Sequence, residues 1–378
     1  MSVIVFILVL LAVVMVHEFG HFIFAKRLGM RVDEFAFGFP PRIFGVKKGE
    51  TEYTVNWLPI GGFVRIFGED PTQVSKDHPD RSRSFMAKPL WAQAVVIVAG
   101  VSMNIVLAWL LLSLTFLIGQ RMSVEQELPQ GAVLAQEEVV LLVMGESPAS
   151  EAGLVTGDQL LKIESGIQGE PALFPMSYTT SDALTSAIRE LAVVGEEAGI
   201  VVRYERGGSE YETTVVPERG LVPDYDGPVI GVSVDRVATV TLPLHLAFLE
   251  GASQTIRLTG LVAVGLFSFF QDIFMGAADF TEVAGPVGIV GLVGSAAESG
   301  LVALLTLTAI ISINLAIINM LPFPALDGGR FIMVLVEGVK GSPIRPRIVS
   351  AVNAAGFAFL LALMAVITYN DILRLLPS

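Results

Sequence analysis

The sequence predicts a polytopic α-helical membrane protein with four transmembrane helices, an inserted extracytoplasmic α+β domain and a membrane-associated β-hairpin. Three observations predict it. Of 378 residues, 53% are hydrophobic and only 16% charged, and the mean hydropathy of +0.67 is too apolar for a water-soluble fold. The apolar residues gather into four runs, 3–25, 91–118, 301–321 and 348–367, each near the roughly 20 residues that cross a bilayer. Between the second and third runs lies a long acidic stretch of soluble composition. The same composition excludes a disordered chain, and the absence of cysteine excludes a disulfide scaffold or a thiolate metal site. Any metal must take nitrogen and oxygen ligands. A net charge of −13 disfavours nucleic acid.

The elements follow in order. Residues 1–25 form the first transmembrane helix; no basic residue precedes the run and no small-residue cleavage site follows, so it is expected to stay in the membrane rather than be removed as a signal peptide. Residues 26–90 form a cytoplasmic loop. Lys26, Arg27, Arg31, Arg83, Lys88, Arg345 and Arg347 flank spans on one side, which the positive-inside rule assigns to the cytoplasm, with both chain ends outside. Within this loop, 52–58 and 62–67 are rich in β-formers and flank Pro59-Ile60-Gly61, which reads as a hairpin with an apolar tip dipping toward the membrane.

The second helix is 91–118. Residues 125–219 are expected to form the soluble domain, in which 199–204 and 210–216 pair through Gly207-Gly208. The stretch 119–303 carries 8 Lys/Arg against 25 Asp/Glu, so the acidity belongs to this outer half. Residues 242–270 are interrupted by His245, Glu250 and Arg257, and the clean part is too short to cross, so 240–299 is read as interfacial amphipathic helices and a loop at Gly285-Pro286-Val287-Gly288-Ile289. The third helix with its following turn occupies 300–329, and the fourth 348–370.

Chemistry enters in the first span. His17-Glu18-Phe19-Gly20-His21 sits within hydrocarbon, where ionisable groups are costly and by default partnered and functional. Histidines four residues apart project from one helix face within reach of a single Zn²⁺, and the intervening Glu can take a proton from metal-bound water. Two structural alternatives are a satisfied pair of bundle histidines with a Glu partner and a proton relay. A catalytic zinc needs a third protein ligand. The best candidate is Asp327, in the segment Asn319 to Gly329 whose two prolines, Pro322 and Pro324, end regular helix. The alternative is a helix stop with a solvated Asp. With four spans the first and third run the same way, which places His21 and Asp327 at similar depth; a fifth span between them would separate the two.

Taken together these residues resemble the site-2 protease family of intramembrane zinc metalloproteases, in its bacterial regulator of sigma-E protease form. The likeness rests on HEFGH in the first span, Gly100-Val101-Ser102-Met103-Asn104 in the second, Ala284-Gly285-Pro286-Val287-Gly288-Ile289 before the third, and the Asn319 to Gly328 stretch. The resemblance implies that His17, His21 and Asp327 bind zinc and that Glu18 is the catalytic base. It further implies that Asn319 and Pro322 shape the substrate site, with Asn104 beside it, and that the hairpin at Gly61, Gly62 and Phe63 presents an edge strand to the substrate. Gly100 and Asn104 lie one turn apart, which equally suits close helix packing. Gly145 to Leu154 followed by Thr156 to Ile163 resembles a PDZ domain, which would accept a peptide C-terminus by β-augmentation or screen substrates by size. There is room for one such domain.

The expected function is therefore hydrolysis of peptide bonds within transmembrane segments during regulated intramembrane proteolysis, as of anti-sigma factors or remnant signal peptides. Its substrates would be single-pass membrane proteins already cleaved on the outer side, and its location the bacterial cytoplasmic (inner) membrane. A membrane scaffold recruiting partners through the PDZ-like module and a proton-coupled transporter are the rival classes; neither requires stoichiometric zinc.

Overall fold

The computed structural model describes residues 2–69, 78–167, 172–222, 225–276, 285–342 and 344–375. In chain order its elements are α1 (Ser2–Arg27), β1 (Val32–Lys48), β2 (Thr51–Ile66), α2 (Leu90–Ile118), β3 (Gln120–Ser123), β4 (Val133–Val143), α3 (Pro148–Glu151), β5 (Gln159–Ser165), α4 (Ser181–Val194), β6 (Ile200–Arg206), β7 (Ser209–Val215), β8 (Val232–Thr241), α5 (Leu244–Met275), α6 (Pro286–Glu298), α7 (Leu301–Met320), α8 (Asp327–Lys340) and α9 (Pro346–Leu375). They form two compact units. One joins residues 1–115 to 248–378, and the other is the contiguous segment 116–247.

Among the described residues, five helices are long and apolar enough to cross a membrane: α1, α2, α7, residues 244–273 of α5 and residues 347–373 of α9. The sequence reading expects four, with broken interfacial helices across 240–299. Instead α5 is one continuous helix of 32 residues. His245, Glu250 and Arg257 do not stop it, because charged residues leave helical hydrogen bonds intact. Only proline or a change in backbone conformation would break it. The GPVGI segment, expected as a loop, opens α6. Gly285 is the N-cap and Pro286 the first helical residue, where a missing N–H costs nothing. Ala284 lies outside the described residues. The α6 start is held by Asp371 of α9, whose carboxylate accepts from the backbone N–H of Gly285 (3.2 Å) and Gly288 (2.9 Å).

The β-hairpin differs from its expected pairing. Residues 32–37 pair with 62–66 on one side and, from Glu34, with 52–55 on the other, while 42–48 pair with the outer side of 51–56. Four segments thus lie side by side, and the two expected as hairpin partners are separated by 32–37. Residues 62–66 become an edge. The far tip exposes Phe39, Ile43, Phe44, Trp57 and Leu58, an apolar rim suited to hydrocarbon or headgroup contact. At the other end the turn at Gly49 and Glu50 is tied back to α1. Lys26 Nζ donates to Glu50 (2.7 Å) and Arg83 adds a second contact, and these bonds, against a smaller cost of burial, hold the Glu50 carboxyl below its ordinary range.

The second unit is a six-stranded sheet of order β3-β8-β4-β5-β6-β7. It extends past the expected 125–219 because β3 and β8, from the flanks, pair with each other and β8 with β4. Its core joins Leu141, Ile163, Ile200 and Val202 of the sheet to Leu184 and Ile188 of α4. Thr180 caps α4 by accepting from the Ala183 N–H (3.2 Å). Buried Asp158 receives two hydrogen bonds of 2.6 Å from Arg206 and one from the Val155 N–H (2.9 Å), which satisfies a charge that would otherwise be costly to bury.

Candidate active site

Helix α1 brings His17, Glu18 and His21 to one end of the first unit because its uninterrupted apolar run allows regular helical spacing to that point. Helix α7 ends at Met320, and the chain turns through Pro322 and Pro324 into α8, whose first residue is Asp327. That turn is tight. A Cβ on Gly328 would lie 2.2 Å from the Leu321 carbonyl oxygen, and one on Gly329 would lie 2.1 Å from that of Phe323, so only glycine lets α8 fold back so closely.

The result is a convergence of three atoms able to ligate a metal. His17 Nε2 is 3.0 Å from Asp327 Oδ2, His21 Nε2 is 3.2 Å from the same oxygen, and the two Nε2 atoms are 3.1 Å apart. Ligands held 2.0–2.1 Å from a tetrahedral zinc lie about 3.3 Å from one another, so this N₂O triangle fits such an ion. Among the described residues it is the single His/Asp/Glu group of this kind. His21 Nδ1 donates to the Val96 carbonyl (2.8 Å), which fixes its proton there and leaves the Nε2 lone pair for a metal.

Glu18 stands beside the triangle. Its Oε2 accepts from the backbone N–H of Val64 (3.0 Å), in the edge segment of β2, so the hairpin orients the carboxylate. Both borders of a cavity of about 310 Å³ are thereby set: Glu18 and the triangle on one side, Phe63 and Val64 on the other. Asn319 also lines it, with Nδ2 3.4 Å from His17 Nε2. Gly61 and Gly62 lie in the same strand, Gly62 buried where a Cβ would meet the Ala36 carbonyl at 2.7 Å. Pro322 lies in the turn after α7 and is not among the cavity's lining residues. Asn104 is fully buried behind His17, away from the cavity.

Several participants are invisible in the sequence pattern. Val64 and Val96 act through backbone atoms, which carry no side-chain signature. Arg330 and Glu69 also line the cavity as an ion pair, with Arg330 over the Phe85 ring at 4.6 Å. An (i, i+3) step from Asp327 along α8 could have pointed to Arg330; nothing local marks Glu69.

Gly100 is where α2 approaches His21. A Cβ there would lie 2.3 Å from His21 Nε2. Ala is a better helix former than Gly by about 1 kcal/mol, so Gly100→Ala ought to help α2 in isolation. We expect the opposite in the protein: His21 is displaced, and zinc binding falls at least about 10-fold, as when the support of a ligand is lost. Zinc per chain measured on purified protein checks this; a wild-type zinc content would show that His21 tolerates the methyl group.

Comparison with known proteins agrees in extent as well as in kind. Residues 5–363 match the model of peptidase family M50. The chain is 36% identical over 366 residues to CPE1693 of Clostridium perfringens, covering 96% of each. It is 30% identical to the regulator of sigma-W protease RasP of Bacillus subtilis, covering 99% of each. To the zinc metalloprotease RasP of Geobacillus kaustophilus it is 32% identical, over 98% of this chain and 97% of the other.

Proposed function

The chain belongs to peptidase family M50 and is a zinc metalloprotease of the site-2 type, and from that premise we propose that His17, His21 and Asp327 hold its zinc and Glu18 is its general base. The observation that carries this is the N₂O triangle within an apolar helix bundle, with Glu18 beside it at the wall of the same cavity. Zinc held by these three side chains would supply Lewis acidity toward the water and the scissile carbonyl. Glu18 takes the proton of the attacking water and passes it to the leaving amine. Its Oε2 is engaged by Val64 N–H, which leaves Oε1 for that transfer. Asn319 lines the same cavity with Nδ2 3.4 Å from His17 Nε2, and its amide offers a donor for a polarised carbonyl oxygen bound there.

The substrate class is a transmembrane segment of another membrane protein. A helical amide is enclosed by its own hydrogen bonds and must unwind to be attacked, and an unwound segment needs a new backbone partner. Among the described residues, 62–66 are paired on one side only. Strand alternation turns the polar groups of Gly62 the same way as the Val64 N–H, toward the site. This supports Gly61, Gly62 and Phe63 as a docking strand that reads backbone rather than side chains.

Topology supports a cytoplasmic-side site. Asp327 follows the end of α7 and meets His17 and His21 near the end of α1, so these two helices run in the same sense. An odd number of net crossings must therefore separate them, and α2 supplies one. We infer that α5, despite its length, adds no net crossing, and that the basic loop lies in the cytoplasm with both chain ends outside. The 116–247 unit is then extracytoplasmic. Its α4 and β8 flank a cavity of about 400 Å³ lined by Ile188, Arg189, Ile230, Gly231 and Val232, which supports a PDZ-like groove for a peptide C-terminus.

The test uses the full chain in liposomes with a single-pass substrate already trimmed on its outer side. Mass spectrometry should locate the cut within the apolar segment. A zinc chelator should abolish the cut, and added zinc should restore it. Cleavage confined to soluble loops, or surviving complete metal removal, would overturn the proposal.

A further inference from the structure

We propose that Asn104 is a positioning residue for His17: its side-chain amide oxygen accepts from His17 Nδ1–H and so aims Nε2 at the metal site. This rests on the reading of His17 as a zinc ligand, and it moves Asn104 out of the substrate site.

Three observations converge. Asn104 is fully buried and its amide lies 3.5 Å from His17 Nδ1, on the side of the ring opposite the triangle. An imidazole that offers its Nε2 lone pair to a metal carries its proton on Nδ1 and needs an acceptor there. As placed, the amide presents its NH₂ group to that nitrogen, so two donors face each other, while Asn104 Oδ1 is buried with no partner. The two amide ends are nearly identical in shape, and turning the group over removes the donor conflict and the orphaned acceptor together.

The surrounding geometry gives Asn104 little freedom to do anything else. Its backbone carbonyl accepts from Ser312 Oγ of α7 (2.9 Å), which pins this turn of α2 in the bundle. Val96, Gly100 and Asn104 follow at intervals of four residues on one face of α2. Val96 holds the Nδ1 of His21, Gly100 leaves room for that ring, and Asn104 holds the Nδ1 of His17. One helix face thus orients both imidazoles. Groups that orient metal-bound histidines in this way typically contribute about 10- to 100-fold in metal affinity.

The test compares Asn104→Ala, which removes the acceptor, with Asn104→Asp, which keeps one, in the purified full chain. Zinc affinity is read by competition with a chromophoric chelator, and ligand geometry by the visible absorption of the Co²⁺-substituted protein. Asn104→Ala should weaken zinc binding about 10- to 100-fold, change the Co²⁺ spectrum and lower kcat with KM little changed. Asn104→Asp should return the affinity to within a few-fold of wild type. The inference is overturned if Asn104→Ala keeps wild-type zinc affinity and Co²⁺ spectrum while KM rises. It is equally overturned if the Asp and Ala variants lose zinc alike, since a packing role would not distinguish them. Should Asn104→Ala not fold, Asn104→Ser is read in its place. Failure of the wild-type chain to bind zinc would instead refute the ligand assignment of His17.

Discussion

Glu18→Gln is expected to lower kcat by about 10²- to 10⁴-fold while zinc stays stoichiometric. Glutamine keeps the size of the side chain and can still accept the Val64 N–H through its amide oxygen, so the contact that orients the residue survives. What it loses is basicity. A neutral amide cannot take a proton from water or hold one for the leaving amine, and among the described residues the other carboxylates lining the cavity are Asp327, against the two imidazoles, and Glu69, which is engaged by Arg330. The zinc ligands are untouched, so KM and metal content should change little. Measuring both kcat and zinc per chain is essential. A variant that keeps zinc and cuts a membrane substrate at the normal rate would remove Glu18 from the chemistry; one that loses zinc would make it a structural partner of the site.

How much of this was legible before the structure depends on the range of the interactions. The pair His17 and His21 is fixed by helical periodicity alone, so a four-residue spacing in an apolar run was enough to bring them to one face. Asp327 was harder, because it meets them only after α7 ends and α8 folds back, yet prolines and glycines mark that turn in the sequence. The β-hairpin was misread in its pairing. Residues 52–58 and 62–67 look like neighbours because a turn sequence joins them, but 32–37 inserts between them, and no local signal records a pairing between residues some 30 positions apart. The same limit hid β8, whose partners lie about 100 residues upstream. Asn104 was expected beside the substrate; α2 does line the cavity, but through Val96 and Ile97, while Asn104 lies two turns further along the helix against His17, a depth that its one-turn spacing from Gly100 does not record.

The second large effect should come from Asp327→Ala, which ought to remove the metal as well as the activity. A structural zinc site of four ligands contributes about 10–16 kcal/mol, or about 2.5–4 kcal/mol for each ligand, and each 1.4 kcal/mol is tenfold in affinity. Loss of one ligand should therefore weaken zinc binding by about 10²- to 10³-fold, and cleavage should fall to background at ordinary zinc concentrations. The fold should survive. Helix α8 is held at its start by the glycine turn against α7 and one turn later by Arg330, which is paired with Glu69 and stacked on Phe85. Asp327 itself makes its contacts with the two imidazoles, so its removal takes away a ligand rather than a support. Helical content by circular dichroism should match the wild type while zinc, read by chelator competition, is lost. Glu18→Gln and Asp327→Ala are then separable: both are inactive, but only one is metal-free. If Asp327→Ala retained wild-type zinc affinity, the third ligand would have to be sought elsewhere, and Asp327 would be reduced to a hydrogen-bond partner of His17 and His21.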